Sequence, residues 1–230
     1  MYDDIAEAIR TGELATLNRL LSSDPTLVHV RVDGKRTLLH VATDWPGHWP
    51  NVRETIATLV AHGADLNAKV LGLPHSESPL HWAASSDDLD ALDALLDHGA
   101  DIEANGAVIG GGTPLADAVA FATWRAARRL IERGARSTIW QAAALGLMDR
   151  VEDHLACDPA PEADVVTNAF WGACHGGQLI AARYLLSRGA NPNWVGHDHL
   201  TPLDAAARNG NAELVAWLRS QGAVSARDLA

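Results

Sequence analysis

The stretch SPLHWAASSDDLDALDALLDHGADIEA, residues 78–104, decides the architecture of this 230-residue chain. Pro79 to Ala84 is a short apolar run, and polar Ser85, Ser86, Asp87 and Asp88 interrupt it. Leu89, Leu92, Leu95 and Leu96 then recur at helical spacing, and Gly99 closes the segment. The pattern predicts one short helix, a tight turn, a second amphipathic helix and a glycine stop. Neither helix can bury an apolar face alone, so such a unit must stack on copies of itself.

The copies lie on both sides. Thr37-Leu38-Leu39-His40-Val41-Ala42 opens a unit that Gly63-Ala64-Asp65-Leu66-Asn67-Ala68 closes, and Thr113-Pro114-Leu115 opens one ending at Gly134-Ala135. Thr201-Pro202-Leu203-Asp204-Ala205-Ala206 opens the last, where Gly189 and Gly222 stand 33 residues apart. Asp3 to Arg31 reads as an entry unit, with Ile5, Ala8 and Ile9 on one helix and Leu14, Leu17, Leu20 and Leu21 on the next. The 55 residues between Gly134 and Gly189 hold two more helix pairs, Ile139–Asp158 and Val166–Ala190, joined by Pro159-Ala160-Pro161-Glu162. These in-register motifs resemble the ankyrin repeat, whose pattern is T-P-L-H-x-A-A, a glycine-containing turn, an amphipathic helix and G-A-D-x-N-A. The resemblance implies an all-α ankyrin-repeat solenoid of about seven helix-turn-helix units with short hairpin fingers. It reads as a single domain over residues 1–230, with units at about 1–34, 35–76, 77–111, 112–137, 138–164, 165–199 and 200–230. Three departures stand out. The turn Asp44 to Asn51 is about four residues longer than the family pattern, insertions in repeat proteins falling on loops and often on the binding face. The fingers KVLGLPHSE after Ala68 and NGAVIGGG at 105–112 are extended, and no finger precedes Ile139.

Charge and composition exclude several classes. The net charge of −11 and a pI near 5.3 leave no basic face for nucleic acid. Arg125, Arg128, Arg129 and Arg133 cluster, but at the spacing of a solvated helix face. The N-terminal MYDDIAEAIR is acidic and amphipathic rather than a secretory signal, and no run approaches a membrane span. Cys157 and Cys174 are too few for a disulfide framework, so the reading is a reduced, cytoplasmic protein. No cofactor is expected: three glycines at 110–112 are not followed by Lys-Ser/Thr, and no catalytic or dinucleotide fingerprint occurs. His197-Asp198-His199 offers two imidazoles, and two ligands are not a metal site.

Eight Trp against two Phe and two Tyr point to surfaces that touch something, as well as to core filling between helices. The resemblance places ligands on the concave face, at the end of each first helix. Those ends correspond here to Asp44-Trp45, Ser85-Ser86, Ala120-Phe121, Ala144-Leu145, His175-Gly176 and Arg208-Asn209. Small residues flanked by Trp45, Phe121 and His175 describe a pocket. The expected binding residues are Asp44, Trp45, His48, Trp49, Ser85, Asp117, Phe121, Trp124, Trp171 and His175. His40 and His81 stand at the motif's own histidine and are expected to be structural, Trp82 to be helix packing, and Asp87 and Asp88 to be helix caps. The leading expectation is a recognition module holding a protein or peptide in its groove, with Trp45, Trp49, Phe121 and Trp124 as anchors. The alternative is a small-molecule pocket beneath loops 44–51 and 70–77. In that reading a cofactor-independent acid–base enzyme sets His48 or His175 beside Asp44, Asp87 or Asp117.

Overall fold

The computed structural model describes residues 2–229 and is all helical, with fourteen α-helices arranged as seven antiparallel pairs. Among the described residues there is no strand. The fingers expected as hairpins are turns, and their β-pairing is limited to one bridge between Val32 and Arg36. The chain forms two compact units, Met1–Ala135 and Arg136–Ala230.

The first unit holds four pairs: α1 (Tyr2–Thr11) with α2 (Leu14–Ser23), α3 (Leu38–Thr43) with α4 (Val52–Ala61), α5 (Pro79–Ser85) with α6 (Leu89–Asp97), and α7 (Pro114–Ala120) with α8 (Trp124–Glu132). First helices pack on first helices and second on second, in chain order. Leu38, Leu39, Ile56, Leu59, Leu80, Leu92 and Leu95 are fully buried between them. Each such side chain contributes about 1.5–3 kcal/mol of transfer free energy, which helices this short cannot obtain alone. Arg129 bonds Asp93, and Arg133 bonds Asp93 and Asp97 at 3.0 and 2.8 Å, so the arginine face of α8 is tied to the acidic face of α6.

The second unit holds α9 (Ile139–Leu145) with α10 (Met148–Leu155), α11 (Ala163–His175) with α12 (Leu179–Ser187), and α13 (Pro202–Arg208) with α14 (Ala212–Ser220). The long α11 packs against α9, α12 and α13, and carries fully buried Phe170, Ala173 and Cys174 into the core. Burial pushes the Cys174 thiol far above its ordinary range, leaving it inert.

Four of the first helices, α3, α5, α9 and α13, open on a capping residue that the third residue on completes. Thr37 N–H donates to His40 Nδ1 at 3.3 Å, and Ser78 N–H to His81 Nδ1 at 3.1 Å. With Nδ1 accepting, Nε2 carries the proton and donates onward to a backbone carbonyl of the next finger: Glu77 at 3.2 Å from His40, and Gly112 at 3.3 Å from His81. Gln141 and Asp204 close the same box behind Thr138 and Thr201. Burial depresses both imidazoles to about 4, so they are neutral structural groups as their sequence position implied. Asp88 caps α6 through Ala91 N–H at 3.1 Å, whereas Asp87 reaches one repeat further and accepts from Ala126 N–H of α8 at 2.7 Å.

Candidate functional site

The first unit contains a cleft of about 380 Å³. It opens where α3 ends, beside the C-terminal turn of α5 and the end of α7. Asp44, Trp45, Ser85 and Phe121 line it, all four named from the repeat pattern, together with Glu77, Trp82, Ser86 and Val108. Trp45 is 80% exposed and Phe121 50%, an unusual investment of aromatic surface in water. Trp82 does more than pack helices: its indole meets His40 edge-on at 4.9 Å, and its Nε1 donates to Glu77 Oε2 at 3.1 Å.

Two neighbouring carboxyls stand at the cleft, Glu77 in its lining and Asp117 buried beside Glu77. Glu77 precedes the Ser78 cap, and its carbonyl accepts from both Val70 N–H and His40, which fixes its backbone. Only 4% of the residue is exposed. His75 Nδ1 lies 2.6 Å from Glu77 Oε2. Asp117 is fully buried one turn into α7, at the place that Trp82 holds in α5. Ala116 stands where His40 and His81 stand in their repeats, so α7 lacks the capping box and Asp117 is left to other partners. Its Oδ1 accepts from Val108 N–H at 3.0 Å, and the Ile109 backbone and the Glu77 carboxyl lie beside it. Burial pushes the Asp117 carboxyl up to about 8, the neighbouring Glu77 charge and their mutual hydrogen bond adding to the rise. At neutral pH the Asp117 carboxyl is therefore mostly protonated. Arg36 engages Asp44 at 2.5 Å, so that carboxylate is already paired.

A second depression of about 420 Å³ lies between fingers 70–76 and 106–111, with Val108 common to both. Gly106 lets the fingers approach: it sits at φ +130°, and a Cβ there would fall 2.1 Å from the Ser76 carbonyl oxygen. Leu71, Leu73 and Val108 are 39–48% exposed around this depression.

The remaining expected residues lie elsewhere. Only the start of loop 44–51 reaches the cleft. Its far end docks on neighbouring turns: Asn51 Nδ2 donates to Gly12 O at 3.0 Å, and His48 N–H to Asp88 Oδ2 at 2.5 Å. His48 and half-buried Trp49 are thus part of that docking, and Trp124 is half-buried at the start of α8. Asp87 serves α8 as a cap, and the carboxylate that His48 meets is Asp88, 3.8 Å from its Nδ1. Trp171 and His175 belong to the second unit. Both are buried at 2% exposure and stacked with centroids 5.3 Å apart, and Trp171 Nε1 donates to Leu200 O at 2.9 Å. Sequence reasoning missed Glu77, and it gave Trp82 only a packing role. The signal for both is proximity to the 78–81 cap, which pins the residues around it.

Comparison with known proteins bears on the repeats. The family described as "Ankyrin repeats (3 copies)" matches residues 139–228, and that described as "Ankyrin repeat" matches 75–104. Those segments coincide with the second unit's three helix pairs and with the α5–α6 pair. The chain belongs to the ankyrin-repeat family. A 50-residue segment is also 40% identical to the Caenorhabditis elegans "Ankyrin repeat and KH domain-containing protein mask-1", covering 22% of this chain and 2% of that protein. Ankyrin repeats are generally modules of protein–protein interaction. Among the described residues of this ankyrin-repeat protein, no helix is long and apolar enough to cross a membrane, and no three metal-ligating side chains converge.

Proposed function

We propose that the chain is a recognition module whose first unit binds a protein or peptide partner across the aromatic cleft. The observation that carries this reading is the exposure of Trp45 and Phe121 on one cleft, aromatic anchors of the kind that dominate binding hot spots. Loop 44–51 is tied at its start by Arg36–Asp44 and at its far end by His48 and Asn51, so Trp45 is presented from a fixed base and binding need not order a mobile segment. The alternative of a small-molecule acid–base site finds support in the Glu77–Asp117 pair, which keeps a proton near neutrality. Its proton holder is wholly buried, however, and only Glu77 reaches the cleft wall. Recognition is therefore the preferred reading.

Selection from a phage-displayed peptide library on the intact protein tests it. Selected peptides should lose about tenfold or more in affinity for W45A/F121A, equal to roughly 1.4 kcal/mol or more, with an unchanged circular dichroism spectrum. Peptides that bind the double variant as well as the wild type would place recognition outside this cleft.

A further inference from the structure

We infer that the cleft of the first unit receives a cationic side chain, arginine above lysine, from a peptide whose apolar residues lie over fingers 70–76 and 106–111. This rests on the recognition reading and adds the chemistry of the partner.

Three independent features converge. The walls are aromatic: Trp45, Trp82 and Phe121 face the same space, and a guanidinium stacks on such faces while keeping its N–H edge free. The wall is also acidic: Glu77 lines the cleft, and the carboxyl of Asp117 is buried beside it. The neighbouring arginine and lysine are engaged elsewhere, and the basic group beside Glu77 is the imidazole of His75. Arg36 is committed to Asp44 and Asp33, and the amine of Lys69 to the carbonyl of Asn105. A buried carboxylate held by Trp82 Nε1 is costly without a counter-charge, and an arriving guanidinium supplies one with paired N–H donors.

The apolar component comes from the adjoining depression. Val108 belongs to both spaces, and Leu71 and Leu73 extend it across the fingers. An extended peptide can therefore place its cation in the cleft and its aliphatic side chains on the fingers. The chain's net charge of −11 would steer such a basic segment inward. Guanidinium entry also favours the ionised form of Asp117, so binding releases a proton over the range where that carboxyl is otherwise neutral.

The test uses the capped peptides acetyl-Arg-Leu-Val-Leu-amide and its citrulline counterpart, which has nearly the same shape and no charge. Binding is read from the indole N–H signals of Trp45 and Trp82 in nitrogen-15 spectra. The arginine peptide should shift both indoles and bind about tenfold tighter than citrulline, a margin typical of a charge-assisted, partly desolvated contact. The lysine peptide should fall between them. D117N should keep the preference, because Glu77 retains the charge; E77Q should largely keep it, because Asp117 can then ionise. E77Q/D117N should erase it. Equal affinities for arginine and citrulline, with both indoles shifting, would overturn the cation and leave recognition standing. Indoles unmoved by every peptide would overturn both. The wild-type comparison does not depend on whether the double variant folds.

Discussion

In the first unit Trp45 and Phe121 stand in solvent over a cleft, whereas in the second Trp171 is sealed. Trp171 stacks on His175, and His197 reaches in from its finger to lie 4.9–6.0 Å from the rings of Trp140, Trp171 and Trp194. The two regions use the same building block and the same residue types. They differ in what the finger brings back to the helices. In the second unit the 197–199 turn returns an imidazole, fixed by Asn168 at 3.0 Å and by the Asp198–Arg208 pair at 2.7 Å. In the first, Asp117 accepts from the backbone of Val108, and that finger brings no ring. An aromatic surface is left open or closed by one inserted side chain, while the helical frame is conserved in both.

The largest effect expected from this contrast is on stability. Trp171→Ala should cost about 3–5 kcal/mol, since it empties a closed site, whereas Trp45→Ala should change stability by no more than about 0.5 kcal/mol. Denaturant unfolding of the two variants would break the comparison if their costs were similar.

The next effect separates the two kinds of cap. His40 and His81 are depressed to about 4 in the folded chain, so their contribution is present above the unfolded histidine value and is lost as pH falls from 6.5 through 4. At pH 5 each should have cost the first unit roughly 2 kcal/mol relative to pH 7. H40Q/H81Q copies the glutamine cap of residue 141, and hydrogen exchange of helices α3 to α6 should then lose most of its acid sensitivity. An unchanged slope would remove the imidazoles as its source.

The smallest effect concerns the carboxyl pair. Burial raises Asp117 to about 8, so its contribution is present below the unfolded carboxyl value and is lost as pH rises through 8. D117N holds the neutral form at every pH, so its melting temperature relative to wild type should rise by a few degrees between pH 6 and pH 9. A constant difference would mean that the proton is not on this pair.

Much of the fold was legible in the sequence because the ankyrin pattern is local. Thr37, Ser78, Thr138 and Thr201 announce first helices, and Gly63, Gly99 and Gly189 end second ones. The site was legible where it follows that pattern, at Asp44, Trp45, Ser85 and Phe121. It was not legible at the Glu77–Asp117 pair, because forty residues separate the two and only the stacking of α5 on α7 joins them. Nor could the pattern show that His48 and Trp49 turn away with the docked end of their loop, or that Trp171 and His175 close on each other. Those outcomes depend on the partner each loop finds, and a repeat motif does not encode partners.

The histidine relay also bears on how the chain can be divided. Because His40 and His81 each end their hydrogen bonds on the following finger, a fragment cut at a motif boundary carries a buried donor whose acceptor has been removed with the next piece. The chemically complete segment is a helix pair plus the first residues beyond it: for His40 it runs at least through Glu77, and for His81 through Gly112. A shortened version ending at Ser76 or Gly111 would break a bond that one ending a residue later keeps.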